Sequence, residues 1–575
     1  MQSENRIIVL KFGSSVLRNE NDLPIAVHEI YRWWREGFQV VAVVSALGNT
    51  TDELVQRAHS LCDQPGDELV AALLATGEAA STALLGLALN RSGIPATVLD
   101  AERAGLATDG PILDANLTSI DTTAVLEALR DGVVVLPGFV GKGHCGKTTL
   151  LGRGGSDLTA LFVALHLGAI CRLIKDTGGL YTSDPNSATT PSATRFVRVS
   201  YATAARLGGA VVQHKAIDFA ERHHLRIIVS GLGSSRATEI GPYTDAISFS
   251  ETHVQPLRVA LLGCGTVGGG VFQRLAALPE IFDVVGVGTR NVERAIAANV
   301  PIRLITTNLE ALIAEPVDVV IELLGGHEPA RTLISRTLRF GRNVVTANKA
   351  LLADDVATLE TLASTNGASL RYSAAIGGVL PALETIARVR SLSRLNSISG
   401  VLNGTTNFIL DQLANGLNFA DAVAAAQQQG YAERDPQLDL NGTDAVQKLI
   451  LLARAAFDVD LPLNSIHKQG IGNLKADRIR EAKSNGRTTR LVAECRRGPH
   501  SFVATVSPIE LPFDHPLARI SGVENRLIIK AETESSWDIC GRGAGRWPTT
   551  EAILGDLFDL HRESIIDAGA KERVA

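Results

Sequence analysis

The chain has 575 residues, 45% hydrophobic and 20% charged, which is the composition of a globular protein too long for a single core. A net charge of −6 without a long Lys/Arg block argues against nucleic acid or an anionic membrane as a partner. The N-terminus has neither a basic nor a long apolar region, no apolar run reaches the ~18 residues of a membrane span, and the six scattered cysteines form no CxxC pair; a reduced, cytoplasmic protein without structural zinc is expected.

Residues 7–10 are a short apolar run ending in Lys11-Phe12-Gly13-Ser14-Ser15, a strand feeding a small-residue turn whose free backbone N–H groups suit a phosphate. Residues 40–44 form a second buried run, followed by the polar loop Ser45-Ala46-Leu47-Gly48-Asn49-Thr50-Thr51-Asp52. Strands at residues 97–99 and 133–136, separated by Ala/Leu-rich helices such as residues 68–89, make a layered α/β domain. The loop Leu151-Gly152-Arg153-Gly154-Gly155-Ser156-Asp157 offers backbone donors, an arginine fork for a carboxylate or phosphate, and Ser156 or Asp157 as a cap for a helix over 158–167. A strand end and tight turn follow, Lys175-Asp176-Thr177-Gly178-Gly179-Leu180-Tyr181-Thr182-Ser183-Asp184, and the two loops together favour a phosphoryl-transfer site.

From Lys11-Phe12-Gly13 through the SALGNTTD loop, Gly77-Glu78, Gly138-Phe139, LGRGGSD and GLYTSDP, this region resembles the catalytic domain of aspartokinases in the amino acid kinase superfamily. The resemblance implies ATP and Mg2+, with nucleotide phosphates on the Gly13-Ser14 loop and on the segment from Asp176 to Asp184. It implies L-aspartate held by Lys11, Glu78, Arg153 and the loop from Ser45 to Thr51, with Ser45 and Thr50 as its site residues. The sequence departs from the family at Ser14, at Lys175 (usually threonine) and at Ala210, where the family carries a nucleotide-binding lysine. Loss of one phosphate-facing ammonium costs roughly 2–4 kcal/mol of transition-state stabilisation. Lys215 and Lys175 are the candidate replacements, and both a working kinase and a domain kept for assembly or regulation remain open. The paired ACT modules that usually follow such a domain are not expected before residue 256.

Residues 257–262 read as a strand followed by Gly263-Cys264-Gly265-Thr266-Val267-Gly268 and a helix to residue 275, a GxGxxG fingerprint in its proper strand–turn–helix context. The next strand, residues 284–287, ends Gly288-Thr289-Arg290 and lacks the acidic residue that holds an NAD ribose; Arg290 suits a 2′-phosphate, so NADP is expected to be accepted as well as NAD. Further strands are expected at residues 317–323, 344–346 and 369–373, with Thr346 and Lys349 at a ligand-binding strand end. Beyond residue 381 a helix leads to a strand over 391–398, helices over 409–417 and 419–429, and strands over 491–495, 501–507 and 527–531. Glu433, Asp435 and Asp439 lie in a Pro- and Gly-punctuated loop before a helix over 444–457, where Asp444 and Lys448 share a face four residues apart. Gly541 to Thr550, including Gly543 and Ala544, opens a last helix over 551–560 that returns to the nucleotide domain.

The GCGTVGGG loop, VVTANKALLA, NGTTNFIL, GYAERDPQLDLNGTDAVQKL and GRGAGRWPTTEAILGD, in that order, resemble homoserine dehydrogenases. The resemblance implies reversible NAD(P)H-dependent reduction of L-aspartate 4-semialdehyde to L-homoserine. It implies Glu433 and Asp439 on the substrate amine, Thr405 against the substrate, Asp444 orienting the alcohol end, and Lys448 and Lys349 as the ammonium groups near the reacting oxygen; Lys448 is the expected proton donor, with water relay from Lys349 the alternative. It also implies Na+ or K+ held by backbone carbonyls near Ala374, Ile376 and Gly378 (Ser373 replaces a common glutamate) and a homodimer or higher homo-oligomer formed through the second domain. No closing ACT domain is expected. The expected fold is α/β: an amino acid kinase-like α/β/α domain over 1–250, a Rossmann NAD(P)-binding domain over 251–383, an α+β catalytic and dimerisation domain over 384–540, and a returning segment over 541–575. The competing readings are a chain with both activities and a metabolite-sensing assembly protein on a dehydrogenase scaffold.

Overall fold

Short β-branched runs alternating with Ala-rich helices build parallel sheets, and longer alternating runs toward the C-terminus build an antiparallel one. The computed structural model describes residues 6–184, 193–208, 211–234, 236–248 and 255–574. The chain divides into two units, residues 1–253 and 254–575.

In the first unit Ile7–Phe12 lies inside a nine-stranded sheet, paired in parallel with Gln39–Val44 on one side and Ile170–Lys175 on the other. All six residues of Ile7–Phe12 are buried, as both faces of such a strand must be. The helix Asp67–Arg91 is long and apolar enough to cross a membrane by length and composition alone; here Ala71, Leu74, Leu85 and Leu89 are buried in the unit. Helix Gly155–Leu167 starts three residues earlier than the sequence suggests, and its N-cap is Gly154 in a left-handed conformation. Ser156 and Asp157 therefore sit inside its first turn and do not cap it. Ala210 falls outside the described residues.

The second unit holds two six-stranded sheets. One is wholly parallel, in the order Ile305–Thr306, Phe282–Gly288, Leu257–Leu262, Val319–Glu322, Asn343–Thr346, Leu370–Arg371. That is the doubly wound dinucleotide-binding order, with its switch point beside Leu257–Leu262. The other runs His467–Lys468, Phe502–Pro512, Arg487–Arg497, Leu395–Val401, Glu524–Ala531, Ser536–Arg542, antiparallel except for its first pair.

Several expected boundaries move. The strand expected over 369–373 is only Leu370–Arg371, because the Ser373 amide and hydroxyl bond the Asp556 carboxylate and Ser373–Gly377 turns helical. Helix Ala382–Leu392 keeps burying Ile386 and Val389, so the strand expected over 391–398 is Leu395–Val401 instead. The helix expected over 409–417 is Gly404–Ala414, started by Asn403, whose side chain accepts the Thr406 N–H. Ser536–Arg542 is an edge strand on Glu524–Ala531, and the last helix is Arg546–Val574. That helix lies on Thr266–Ala276 and buries Ala552, Ile553, Leu557 and Phe558 in the core of the parallel sheet.

Candidate active site

Helix Thr443–Phe457 carries the centre of the site. Gly442 (φ 82°) turns the chain into it and Asp458 (φ 56°) ends it; Ala445, Val446, Leu449, Ile450, Leu452 and Ala453 are buried. Asp444 sits in the first turn, where the helix dipole favours a carboxylate. Lys448, one turn on, places its Nζ 3.0 Å from Asp444 Oδ2. Both side chains are less than 10% exposed.

Lys349 reaches the same carboxylate from another element. Strand Asn343–Thr346 ends at the crevice of the parallel sheet, and Asn348 caps the following helix while donating to the Gly326 carbonyl at 2.7 Å. This fixes Lys349 at the first helical position, its Nζ 3.1 Å from Asp444 Oδ1. Helix Lys349–Thr365 packs along Thr443–Phe457, which is how residues almost a hundred positions apart share one anion.

Asn403 completes the cluster, its Nδ2 donating to Asp439 at 2.6 Å and Asp444 at 2.8 Å. The Leu402 carbonyl accepts from Lys448 at 2.7 Å and from Asn525 at 2.9 Å. Asn525 lies directly beneath Gly543, where a Cβ would fall 1.8 Å from its amide nitrogen. The glycine-rich segment before the last helix is thereby tied to Lys448.

Burial alone would raise the Asp444 carboxyl, but Lys448, Lys349 and the Asn403 amide together hold it well below the usual range. Asp439 moves the other way, raised by burial and by the neighbouring Asp444 charge. Burial works against the Lys349 ammonium, yet Asp444, Asp439 and Glu433 outweigh it and raise its pKa. Glu433 and Asp435 are exposed, and Asp435 accepts the Gln437 N–H, which assigns it to the turn and not to the site. Thr405 donates to the Tyr431 carbonyl at 2.7 Å.

The glycine loop fits a dinucleotide. Gly263 adopts φ 101°, and a Cβ there would meet the Leu323 carbonyl at 2.5 Å. Gly265 has open space, as pyrophosphate approach requires, and a Cβ on Gly268 would fall 2.0 Å from the Gly263 carbonyl oxygen. Val267 follows the Thr266 helix start. Arg290 is exposed just beyond the second strand, and Arg294 donates to Thr266 Oγ1 at 2.9 Å. Opposite, buried Glu322 accepts from Thr346 Oγ1 at 2.6 Å and from the Leu324 and Gly325 amides, fixing the loop across the crevice. Ala374, Ile376 and Gly378 fall on the helical turn Ser373–Gly377 and its C-cap. Among the described residues no three His, Cys, Asp or Glu side chains are placed to hold a metal ion.

Asn403, Asn525 and Glu322 did not announce themselves in the sequence. Asn403 had a usable signal, a cap residue two positions before Thr405, whereas Asn525 and Glu322 act through contacts far along the chain.

In the first unit, Lys11 and Lys175 each place Nζ 2.8 Å from the Asp157 carboxylate. Glu78 is 3% exposed, and burial pushes its carboxyl up to about 8 against the Ala46 N–H and the Lys11 charge. A Cβ on Gly13 would lie 2.9 Å from Lys11 Nζ. Ser45 and Thr50 are half-buried; Ser14, Arg153, Asp176 and Asp184 are exposed on their loops. Lys215 is committed elsewhere, to Asp114 at 2.7 Å and to the Leu151 and Ala115 carbonyls.

Comparison with known proteins bears on both units. Residues 6–230 match the amino acid kinase family, 263–373 the NAD-binding domain of homoserine dehydrogenase, and 381–558 homoserine dehydrogenase. Homoserine dehydrogenase of Synechocystis sp. is 34% identical over 316 residues, 53% of this chain and 73% of that protein. The enzyme of Corynebacterium glutamicum is 35% identical over 322 residues, 53% and 72% of the two chains. The crystal structure of homoserine dehydrogenase from Thiobacillus denitrificans superposes with a TM-score of 0.52 at 33% identity, covering 54% of this chain and 74% of that one.

Proposed function

The chain belongs to the homoserine dehydrogenase family, and from that premise we propose that the Asp444–Lys448–Lys349 cluster carries the interconversion of L-aspartate 4-semialdehyde and L-homoserine. Gly263, Gly265, Thr266 and Gly268 would seat the nicotinamide cofactor, which when bound would supply or accept the hydride at the carbonyl carbon. Lys448 gives the proton to the oxygen that gains charge. Its ammonium is buried and pinned by Asp444 and the Leu402 carbonyl, so one N–H remains for the substrate. Lys349, kept cationic by three carboxylates, stabilises the same oxygen electrostatically; a raised pKa makes it the poorer proton donor. Asp444 orients the alcohol end through the two lysines, while Glu433 and Asp439 hold the substrate amine and Thr405 contacts the substrate. The single observation that carries this reading is one buried carboxylate shared by two ammonium groups from separate elements.

NADP suits the site through Arg290, exposed just beyond the second strand, and Arg294, which donates to Thr266 Oγ1; either guanidinium would suit a 2′-phosphate. Thr346, Gly543 and Ala544 would line the cofactor from across the crevice. An alkali cation suits the backbone carbonyls of Ala374, Ile376 and Gly378, which fall on the helical turn Ser373–Gly377 and its C-cap. A rise in thermal midpoint with NaCl or KCl, absent with tetramethylammonium chloride, would support that ion. The domain limits at residues 250, 383 and 540, a homodimer or higher homo-oligomer through the antiparallel sheet, and a cytoplasmic location complete the proposal. ATP and Mg2+ belong to the first unit. The test is homoserine-dependent reduction of NADP+ and NAD+ by the purified chain, with activity expected on at least one; inactivity on both overturns the reading.

A further inference from the structure

Asn525 is fully buried where the glycine-rich segment before the last helix meets the lysine cluster. Its strand, Glu524–Ala531, pairs it with Gly541, two residues before Gly543. Its Nδ2 donates to the Leu402 carbonyl at 2.9 Å, the same oxygen that accepts Lys448 Nζ at 2.7 Å. Leu402 lies between the end of Leu395–Val401 and the cap residue Asn403, outside both the strand and the helix. Two side chains therefore fill both lone pairs of this carbonyl and set its direction. That direction matters because Lys448 spends one N–H on Asp444 and one on Leu402, and the aim of the third follows from where those two acceptors stand.

Two further observations set Asn525 apart from a packing residue. Its Oδ1 is buried without a hydrogen-bond partner, a cost that an apolar side chain of the same size would not carry. Its whole amide is also pressed against the Gly543 backbone: a Cβ on Gly543 would fall 1.8 Å from Nδ2, 2.4 Å from Cγ and 2.8 Å from Oδ1. Gly378 (φ 51°) closes the other side, where a Cβ would lie 2.6 Å from the Arg542 carbonyl oxygen and 3.3 Å from the Gly543 carbonyl carbon. The backbone at Arg542–Gly543 thus has no room to shift without moving the amide that holds Leu402.

We infer that Asn525 is a positioning residue of the dehydrogenase: it holds the Leu402 carbonyl so that the third Lys448 N–H faces the substrate oxygen, and it makes that alignment depend on how the Gly543 backbone is seated. The inference rests on the reading of Lys448 as the group that exchanges the proton. Gly543 belongs to the segment proposed to line the cofactor, so a displacement of that segment reaches Lys448 through a single amide.

The test follows homoserine-dependent NADP+ reduction by the full chain as wild type, Asn525→Ala, Gly543→Ala and the double variant, with thermal midpoints measured in the absence of cofactor. Asn525→Ala leaves the Leu402 carbonyl one donor short and should lower kcat about 10–100-fold, with the KM for NADP+ within about twofold of wild type. Gly543→Ala drives a methyl into the amide and should lower both kcat and the midpoint. In the double variant the methyl takes the space the amide vacates, so the midpoint should return to that of Asn525→Ala and kcat should fall no further than in Asn525→Ala alone. Asn525→Asp is close in shape and carries the test if the alanine variant does not fold. Its carboxyl can donate to Leu402 only while protonated, so its kcat relative to wild type should fall as pH rises between about 6 and 9. Lys448, Asp444, Lys349, Asp439 and Glu433 are the same in both chains, and the ratio isolates the new carboxyl. Asn525→Ala at the wild-type kcat, losses in the two single variants that simply add, or a ratio for Asn525→Asp independent of pH would each overturn the inference. If Lys448→Met is inactive while Asn525→Ala is unimpaired, only the positioning role falls; if Lys448→Met turns over at the wild-type rate, the reading beneath it falls as well.

Discussion

Asp444 is the residue whose loss should be felt in two ways at once. Removing it leaves Lys448 buried beside Lys349 without the one carboxylate in direct contact with both, a change worth about 3–5 kcal/mol. Asp444→Ala is therefore expected to lower the thermal midpoint of the second unit and abolish turnover. Because the folded-state pKa of Asp444 is depressed, its contribution is present above the ordinary carboxylate value and fades as pH falls below it. Glu78 has the opposite sign. Its folded carboxyl titrates near 8 against an ordinary 4.5, so the first unit loses stability as pH rises through that window, by about 1.4 kcal/mol per pH unit. Glu78→Gln should be no more stable than wild type at pH 4.5 and clearly more stable at pH 8, measured by denaturant melts; equal differences at both values would contradict the burial argument. The Asp444–Lys448 pair was legible because a spacing of four fixes two side chains on one helix face. Asn525 was not, since it acts through a carbonyl that only the fold brings near, and of Asn403 only the helix cap was legible, not its bonds to Asp439 and Asp444.

Among elements, the glycine loop and its helix make the most exposed prediction. The Gly268 Cα sits so close to the Gly263 carbonyl that a single methyl would push helix Thr266–Ala276 off the strand end. Gly268→Ala should raise the KM for NADP+ about tenfold or more while kcat at saturation changes less, because the reacting groups lie on other elements. A change in kcat alone would count against this loop as the pyrophosphate seat. Strongly periodic or uniformly apolar elements, such as Ile7–Phe12, Leu257–Leu262 and Thr443–Phe457, were readable to within two residues. Errors gathered where a contact overrides the local pattern. Ser373 leaves the strand for Asp556, and Ser536–Arg542 is a polar edge strand defined only by its partner. Gly155–Leu167 starts early because Asp157 is drawn to two lysines and does not serve as a cap.

At the scale of the whole molecule, two units with separate cores predict two calorimetric transitions. A ligand shifts only the unit that binds it, by RT ln(1 + [L]/Kd), so saturating NADP+ should raise one transition and MgADP the other. The order of sheets and the fusion of a kinase-like with a dehydrogenase unit were legible from motif order. Where Lys175 and Lys215 point was not, because only the fold sends the one to Asp157 and the other to Asp114. The central claim rests on the lysine that neutralises the forming alkoxide, and the most direct measurement is homoserine-dependent NADP+ reduction by wild type and Lys448→Met. With Lys448 as that donor, kcat is expected to fall by about 10²–10⁴-fold in the variant, with the KM for NADP+ little changed. A variant that turns over at the wild-type rate would contradict it.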